Sequence, residues 1–393
     1  MPYVYRKVQV STASHRGTYI SIADKTTFDP EVITSAFLVS LQQSGLSLKT
    51  IEKYASTIVH FLNAVYASSS VGKDWTNIKD QHLSAYQETR AYELAPGTHT
   101  IVVSNLKALF DWCFEYGWLD NPLDYSWKLP YEKQREIKEY RAEVKSRDPF
   151  NLFARYISKS DFDYLLTFNP RKKSFERVRD EIILKLGYYS GLRRAETVDP
   201  VNISLAKIKR AISEASKAGL EGFELTIIGK GKDGGKSRTV YIPPSLRRQI
   251  ESFIRNELKR KAPNSDLLIC RDENGAVSPL SEEHATSLFR EAKAKLLEKG
   301  DVNLIRAWVK NERTRTFHAL RHSYATNFAD EIIRGDADLD LLQERMGHEH
   351  SDTTKIYLWF AAKRSGDQRM AQKYAGSLKA RNGEIKRESQ GDI

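Results

Sequence analysis

Apolar residues recur at three- and four-residue intervals along most of this chain, which is the spacing that one face of an α-helix requires. Between residues 30 and 117 the pattern occurs in four segments, and turn or capping residues separate them. These segments are bounded, in order, by Pro30 and Gly45, Ser47 and Val65, Lys79 and Glu93, and Pro96 and Gly117. Four amphipathic helices in so short a stretch predict a compact all-α unit.

Strand-like patterns are short and confined to two places. Residues 1–27 carry β-branched residues and tyrosines at alternating spacing, which predicts an N-terminal arm or a small hairpin. Residues 225–228 and 239–242 flank a glycine-rich stretch, which predicts a β-hairpin. The rest of the chain up to about Tyr374 has the helical pattern, with Ser160 as an N-cap. We therefore expect a mainly α fold with a small β-sheet or hairpin.

Breaks in these patterns divide the chain into five predicted parts. Asn121-Pro122 ends the first helical unit, and a charged stretch with few apolar positions follows it. The predicted parts are an N-terminal arm or extension at 1–27, a helical unit at 28–127, a charged linker at 128–148, a second domain at 149–375 and a polar tail at 376–393.

The charge of the chain is unevenly distributed. Lys and Arg number 62 against 51 Asp and Glu, a formal net charge of +11. Residues up to Trp127 hold 10 basic and 12 acidic side chains, so the positive excess lies in the C-terminal two-thirds. A basic surface favours a polyanionic partner such as a nucleic acid, although many proteins of this charge bind none.

Composition and motif content exclude several other classes of protein. No apolar run approaches the ~18 residues that a membrane-spanning helix needs. Two cysteines, Cys113 and Cys270, cannot build a disulfide framework or, by themselves, a structural zinc site. The phosphate-loop pattern and the His-Glu-x-x-His zinc pattern do not occur in the sequence. We expect a protein of a reducing cytosol that uses no cofactor and no metal.

Four short motifs in the second predicted domain carry residues suited to proton transfer or phosphate binding. They are GLRRAE at 191–196, the lysine-glycine stretch at 229–236, His-x-x-Arg at 318–321, and Gly-His at 347–348 with a tyrosine at 357. The spacing of Arg193 and Glu196 places both on one helical face. Lysines between glycines can approach a phosphate closely. Taken singly, each motif is explained as well or better by a structural role: a solvated ion pair, a basic turn, a chance His-x-x-Arg or core packing.

In this order, however, the four motifs resemble the catalytic domain of the tyrosine recombinases, the phage-integrase family. The matching segments are GLRRAE at 191–196, IIGKGKDGGKSRTVYIP at 227–243, HALRHSYAT at 318–326 and MGHEHSDTTKIYLWF at 346–360. Two earlier segments, GLSLKTIEKYASTIVHFLNAV and SNLKALFDWCFEYGWLDNP, resemble the second and fourth helices of the family's core-binding domain. The resemblance spans roughly residues 30–362.

The resemblance implies a nucleophile and its main charge partners. Tyr357 would attack a DNA phosphodiester and form a 3′-phosphotyrosyl bond. Arg193 and Arg321 would bind the phosphate oxygens on which negative charge collects in the transition state. Glu196 would brace the site without reacting.

The other implied roles concern protons and further phosphate contacts. Lys230 would protonate the leaving 5′-oxygen, with Lys232 or Lys236 as alternatives because the hairpin register could differ by a residue or two. His318 would act in proton transfer or phosphate binding, and His348 would donate a hydrogen bond to the phosphate.

As a whole, the resemblance implies a site-specific recombinase or integrase of a mobile element or phage, in the cytosol or nucleoid of a bacterium. An all-α core-binding domain and a mixed α/β catalytic domain would form a clamp on double-stranded DNA that carries specific recombination sites. Four copies would act as a homotetramer on two sites, with room for accessory DNA-bending or directionality proteins and no membrane. Residues after Tyr357 would form a helix that docks on a neighbouring copy.

Three alternatives remain open at this point. Val10-Ser11-Thr12 faintly resembles the start of serine recombinases, but no basic surroundings for such a nucleophile follow it. A type IB topoisomerase uses a similar Arg, Lys, Arg, His, Tyr set, although the N-terminal helices favour a recombinase. A non-catalytic DNA-binding protein of the same fold is the third, and covalent trapping on DNA would distinguish it from an enzyme.

Overall fold

The computed structural model describes residues 2–11, 16–67, 75–94, 96–123, 134–135, 151–229, 236–273 and 276–375. The chain divides into two compact units, Met1–Glu143 and Val144–Ile393. Each unit has an apolar core of its own. Most of the predicted linker at 128–148 and all of the tail at 376–393 lie outside the described residues.

In its described residues up to 123, the N-terminal unit contains a β-hairpin and four α-helices. Its elements are β1 (Tyr3–Ser11), β2 (Arg16–Asp24), α1 (Val32–Gln43), α2 (Leu48–Tyr66), a 3-10 turn (Trp75–Asn77), α3 (Asp80–Glu93) and α4 (Pro96–Glu115). Ser47 caps α2, as predicted, because its hydroxyl accepts a hydrogen bond from the Thr50 N–H at 3.3 Å. The four helices therefore follow the sequence pattern closely.

The hairpin is part of the core of this unit and not a separate extension. Strands β1 and β2 are antiparallel, and Ile20 and Ile22 are buried in the same apolar cluster as Ile58 of α2. The Tyr3 N–H donates to Oδ1 of Asn63 at 2.9 Å, which ties β1 to α2. Of the two forms predicted for residues 1–27, the structure has the small hairpin.

The C-terminal unit is mainly helical and contains two further hairpins. Its elements are α5 (Leu152–Arg155), α6 (Lys159–Thr167), α7 (Ser174–Ser190), α8 (Leu205–Lys217), β3 (Phe223–Ile228), β4 (Ser237–Ile242), α9 (Pro244–Phe253) with a π-helical continuation (Ile254–Leu258) and a last helical turn (Lys259–Lys261), β5 (Cys270–Glu273), β6 (Ala276–Pro279), α10 (His284–Lys299), α11 (Arg306–Lys310), α12 (Phe317–Arg334), α13 (Leu339–Met346) and α14 (Ser351–Ser365). Every strand pair in the described residues is antiparallel. The predicted fold class, mainly α with small β-sheets, is confirmed.

Helix α12 lies at the centre of this unit and positions the candidate site. One of its faces packs on α7, where Gly187 leaves room for Phe317, because an added Cβ would lie 3.0 Å from the phenyl ring. Its other face joins α13 and α14 in a second apolar cluster that includes Phe328, Leu342 and Phe360. Polar residues in the first two turns of α12 are therefore held between three helices.

Two local expectations need correction. The N-cap of α6 is Ser158, whose hydroxyl accepts from the Asp161 N–H at 3.1 Å, and not Ser160. The hairpin formed by β5 and β6 falls in a region predicted to be helical throughout. Residues 368–375 are helical, as expected for the segment after Tyr357, and Ala371 and Tyr374 pack on their own unit.

Among the residues that the structure describes, no helix is both long enough and apolar enough to cross a membrane.

Candidate active site

Arg321 joins three helices at the centre of the site. It lies in the second turn of α12 and is 2% exposed. Its guanidinium donates hydrogen bonds to the backbone carbonyls of Gly191, just after α7, and Met346, the last residue of α13. Burial lowers the pKa of Arg321, and the nearby charges of Arg193 and Arg238 lower it further. An anion bound here would relieve that repulsion.

Gly191 shapes the backbone that presents Arg193. It adopts a φ of +66°, which ends α7, and an added Cβ would lie 2.5 Å from the ring of Tyr324. Arg193 and Glu196 consequently lie in a series of turns and not on one face of a helix, which corrects that expectation. The predicted pairing nevertheless forms, with Arg193 Nη1 donating to Glu196 Oε1 at 2.9 Å.

Glu196 connects Arg193 to a second arginine. The carboxylate is 4% exposed, and both of its oxygens accept from the Arg238 guanidinium on β4, the Nη1–Oε1 distance being 2.9 Å. Arg238 also donates from Nε to the carbonyl of Arg345 at 3.0 Å. Burial alone would raise the pKa of Glu196, but the hydrogen bonds and charges of Arg238 and Arg193 lower it to about 2. Glu196 therefore remains a carboxylate and holds Arg193 in place.

Tyr357 lies between two histidines. It is in the second turn of α14 and is 3% exposed. Its hydroxyl is 2.8 Å from Nδ1 of His322 on α12. The ring of His348 lies nearly parallel to the Tyr357 ring, at 10° and 6.2 Å between centroids. Nδ1 of His348 is 2.9 Å from the Thr354 hydroxyl, which fixes that imidazole relative to α14.

His318 lies one turn before His322 on α12. It remains exposed, and its ring packs edge-to-face on the His322 ring with centroids 4.6 Å apart. Desolvation of the part that packs inward, followed by the charges of Arg321, Arg155 and Arg193, lowers the pKa of His318 to about 4. The His318 imidazole is therefore neutral near pH 7 until an anion offsets the surrounding arginine charge.

The base of the β3–β4 hairpin lies beside Arg193. The Gly229 N–H donates to the Lys236 carbonyl at 2.9 Å, and an added Cβ on Gly229 would lie 3.5 Å from Arg193 Nη1. Lys230 and Lys232 lie outside the described residues, but the segment that contains them starts and ends at this base. Lys236, the third candidate lysine, is exposed and forms an ion pair with Glu349.

An open cavity of about 560 Å³ lies against this part of the site. Its lining includes Arg193 and Arg238, the hairpin residues Gly229 and Lys236, and His348. The cavity thus exposes cationic and hydrogen-bonding groups from the hairpin base and from the turn between α13 and α14.

Six sequence-predicted site residues lie together in this unit: Arg193, Glu196, His318, Arg321, His348 and Tyr357. Sequence reasoning did not assign His322 and Arg238, which contact Tyr357 and Glu196, or Arg155, which contacts His322. One signal was available for Arg238, because it occupies an inward position of β4 in register with Val240 and Ile242. A charged residue at such a position needs a buried partner. In the part of the chain that the structure describes, no cluster of His, Cys, Asp and Glu could hold a metal ion.

Comparison with known proteins identifies relatives for this unit. A model of the phage integrase family matches residues 155–364. The chain is 29% identical over 188 residues to the tyrosine recombinase XerA of Pyrococcus furiosus, covering 48% of this chain and 52% of that protein. It is 25% identical over 327 residues to the tyrosine recombinase XerC of Roseiflexus sp., covering 82% of this chain and 87% of that protein. The chain spans about half the length of the archaeal XerA relatives that it matches.

Solved structures share the fold. A XerH site-specific recombinase bound to difH substrate superposes with a TM-score of 0.53 at 19% identity, over 83% of this chain and 80% of that one. A lambda integrase (75–356) dimer bound to a COC′ core site gives a TM-score of 0.50 at 14% identity, over 83% of this chain and 93% of that one. These similarities support the fold assignment made above.

Proposed function

Because this chain belongs to the phage integrase family, we propose that it is a site-specific tyrosine recombinase that cuts and rejoins double-stranded DNA through a 3′-phosphotyrosyl intermediate. The observation that supports this proposal most is the position of Tyr357, whose hydroxyl contacts His322 and lies near Arg321, both of them buried residues of α12. Such a cluster can bind an anion next to a nucleophile.

In the proposed reaction, the Tyr357 oxygen attacks the phosphorus of a DNA phosphodiester. A bond forms between that oxygen and phosphorus, and the bond from phosphorus to the 5′-oxygen breaks. The 5′-oxygen takes up a proton and leaves as a hydroxyl. A 5′-hydroxyl from the partner DNA then reverses these steps and releases the tyrosine. The number of phosphoester bonds is conserved, so the exchange needs no ATP, and the proposal assigns to arginines and a lysine the charge stabilisation and protonation that a metal ion could otherwise supply.

Arg193 and Arg321 are proposed to bind the non-bridging phosphate oxygens. Arg321 uses N–H groups on the Gly191 and Met346 carbonyls, but a guanidinium has more donors than two carbonyls occupy. Arg193 lines the open cavity and is held by Glu196. Two fixed cations stabilise the charge that develops on these oxygens in the transition state. His318 and His348 are proposed to supply further contacts to the phosphate.

Lys230 is proposed to protonate the leaving 5′-oxygen. This role is supported by the base of the hairpin, because Gly229 immediately precedes Lys230 and lies against Arg193. A lysine on this segment could therefore reach a phosphate bound by that arginine. Lys232 and Lys236 remain the alternatives, and of these Lys236 is paired with Glu349 in the structure.

The proposed partners are specific DNA sites and other copies of this chain. Residues 28–127 would form the core-binding domain, residues 149–375 the catalytic domain, and the two together a clamp on duplex DNA. Four copies on two sites would exchange strands, with accessory DNA-bending or directionality proteins where the reaction needs a direction. The proposed location is the bacterial cytosol or nucleoid, and the proposed biological role is recombination of a mobile element or phage.

The test starts by finding the DNA site. The Tyr357→Phe variant, which can bind but not attack, selects duplex fragments from the DNA that flanks its own gene. Nicks are then placed at successive positions in the selected duplex, and the wild type is added in EDTA without nucleotide. A nick just downstream of the cleavage point releases the short 5′-hydroxyl strand and traps a covalent adduct.

We expect the wild type to form a denaturation-resistant adduct at one nick position and Tyr357→Phe to form none. Selection of duplex without an adduct would indicate a DNA-binding protein that does not cut. An adduct at many unrelated sequences, with relaxation of supercoils and no strand exchange, would indicate a topoisomerase. Loss of the adduct in EDTA would contradict the proposed metal-independent reaction.

A further inference from the structure

A short chain of polar contacts reaches the Tyr357 hydroxyl from α5, through a histidine that the sequence motifs did not assign. Nδ1 of His322 is 2.8 Å from the Tyr357 hydroxyl oxygen. On the other side of the same ring, Nε2 of His322 is 3.3 Å from Nη1 of Arg155. His322 is 5% exposed, so its contact with Tyr357 is buried, while the contact with Arg155 is partly buried.

The chemistry of the Arg155 guanidinium decides where the His322 proton lies. A guanidinium has N–H donors and no acceptor, so Nε2 of His322 must accept the hydrogen bond from Arg155. A neutral imidazole has one N–H, which is then on Nδ1. His322 therefore donates this N–H to the Tyr357 oxygen. A protonated His322 would instead direct an N–H towards the guanidinium.

The surroundings of His322 also keep the imidazole neutral. Burial lowers the pKa of His322 first, and the charges of the neighbouring histidines and arginines lower it further. The charged and titratable groups that face His322 come from four places, namely His318 and Arg321 on α12, Arg155 on α5, His348 in the turn before α14, and Tyr357 on α14. Protonation would place a cation among Arg155 and Arg321, so the neutral form with the proton on Nδ1 dominates near pH 7.

We propose that His322 is a catalytic residue that donates a hydrogen bond from Nδ1 to the Tyr357 oxygen and stabilises it as a phenolate, and that Arg155 is the positioning residue that fixes this tautomer. The inference rests on the proposed function, since it concerns the same nucleophile. It assigns His322 no proton transfer. The phenolic proton passes to solvent, the oxygen–phosphorus bond forms while the 5′-oxygen bond breaks, and the hairpin lysine supplies the proton to the 5′-oxygen.

This arrangement has a direct energetic consequence. A hydrogen bond to an ionised oxygen is stronger than one to a neutral oxygen, and we expect its loss to slow the attack about tenfold to a hundredfold. A donor aimed at the tyrosine oxygen favours the phenolate, which is the form that attacks phosphorus. If Arg155 is removed, the proton of His322 can shift to Nε2. Nδ1 would then accept from the phenol and stabilise its unreactive form.

Substitutions at position 322 separate the donor from the ring. In His322→Asn the amide nitrogen takes the place of Nδ1, in His322→Gln it takes the place of Nε2, and His322→Leu has neither. With DNA bound beforehand, single-turnover adduct formation on the nicked duplex should fall by less than about tenfold in His322→Asn. It should fall about tenfold to a hundredfold in the Gln and Leu variants. Binding of the duplex should be unchanged in all three.

Arg155→Leu tests the tautomer through the pH profile. The rate of adduct formation should rise with pH as Tyr357 ionises, and the midpoint should move up by about one pH unit in Arg155→Leu because the phenolate loses its donor. The matched control is Arg334→Leu, at the opposite end of α12, where Arg334 is an exposed side chain paired with Asp336. This control should leave the midpoint unchanged.

A second readout needs no DNA and no activity. Nitrogen-15 spectra of the histidine rings, with the His322 signals identified by their loss in His322→Asn, should show a protonated Nδ1 and an unprotonated Nε2 at pH 7. In Arg155→Leu the Nε2–H form should increase. A protonated Nε2 in the wild type, or a His322→Asn variant as slow as His322→Leu, would overturn the inference. Failure of the proposed function itself is distinct, because the wild type would then form no adduct while the spectra would still report the tautomer.

Discussion

Replacing Glu196 by Gln should destabilise the C-terminal unit in a way that depends on pH. The carboxylate is 4% exposed and accepts from Arg238 and Arg193. Burial opposes its ionisation, but the two arginines lower the pKa of Glu196 from 4.5 to about 2. At about 1.4 kcal/mol per pKa unit, ionisation of Glu196 is easier in the folded than in the unfolded state by about 3 kcal/mol, and this difference stabilises the folded state. Gln keeps the shape but leaves Arg238 buried without a negative partner.

The sign of the pH dependence follows from the depressed pKa. The stabilisation is fully present above the unfolded pKa of 4.5 and is lost as pH falls towards 2. Glu196→Gln should therefore lose about 3 kcal/mol of unfolding free energy at pH 7 and progressively less below pH 4.5. The matched control is Glu349→Gln, which removes an exposed carboxylate paired with Lys236 and should change stability little at any pH.

The assay must read the two units separately, since a chain with two cores need not unfold in one step. Urea titrations at several pH values, each followed by a short deuterium pulse at one common pH and mass spectrometry, report unfolding peptide by peptide. Peptides from α12 and α14 report the unit that contains Glu196, and peptides from α2 are the internal control. Equal losses in the Glu196 and Glu349 variants, or a loss that does not shrink at low pH, would refute this reasoning.

Three further predictions concern the proposed reaction. Arg193→Ala should abolish adduct formation but keep duplex binding and folding. Arg321→Ala should abolish adduct formation and also lower stability, because Arg321 holds the ends of two helices. Gel-shift measurements report duplex binding, and thermal unfolding reports stability. Lys230→Ala should be rescued in part by a substrate with sulfur in place of the 5′-oxygen, and rescue of Lys232→Ala alone would transfer the role to Lys232. The affinity for duplex should fall with salt with a log–log slope of about −0.9 per phosphate neutralised, and a flat salt dependence in filter binding would contradict a basic DNA surface.

Local pattern was sufficient for most helices and for the order of the site residues. The helices of the N-terminal unit end where glycine or turn residues interrupt the apolar spacing, and Ser47 caps α2 as its hydroxyl allows. The missed hairpin of β5 and β6 shows the limit of this approach. Its strands have four residues each, too short for an alternating pattern, yet Asn274-Gly275 between them is a strong hairpin signal that was overlooked.

The contacts that define the site could not be read from sequence spacing. Arg238 meets Glu196 across 42 positions of sequence, and His322 meets Tyr357 across 35, so tertiary packing alone brings them together. The helical face expected for Arg193 and Glu196 is replaced by turns because Gly191 ends α7 with a positive φ. The motif order predicted which residues would meet, and the packing of α12 against α7 and α14 determines how they meet.

The most direct test of the proposed chemistry is to identify the residue and the strand end in the trapped adduct. The only tyrosine in the tryptic peptide 356–363 is Tyr357, so the adduct can be assigned without ambiguity. After nuclease trimming, mass spectrometry should find this peptide linked to a nucleotide through its 3′-phosphate, in reactions that contained EDTA. A nucleotide on any other peptide, or a linkage through a 5′-phosphate, would contradict the assignment of Tyr357 as the recombinase nucleophile.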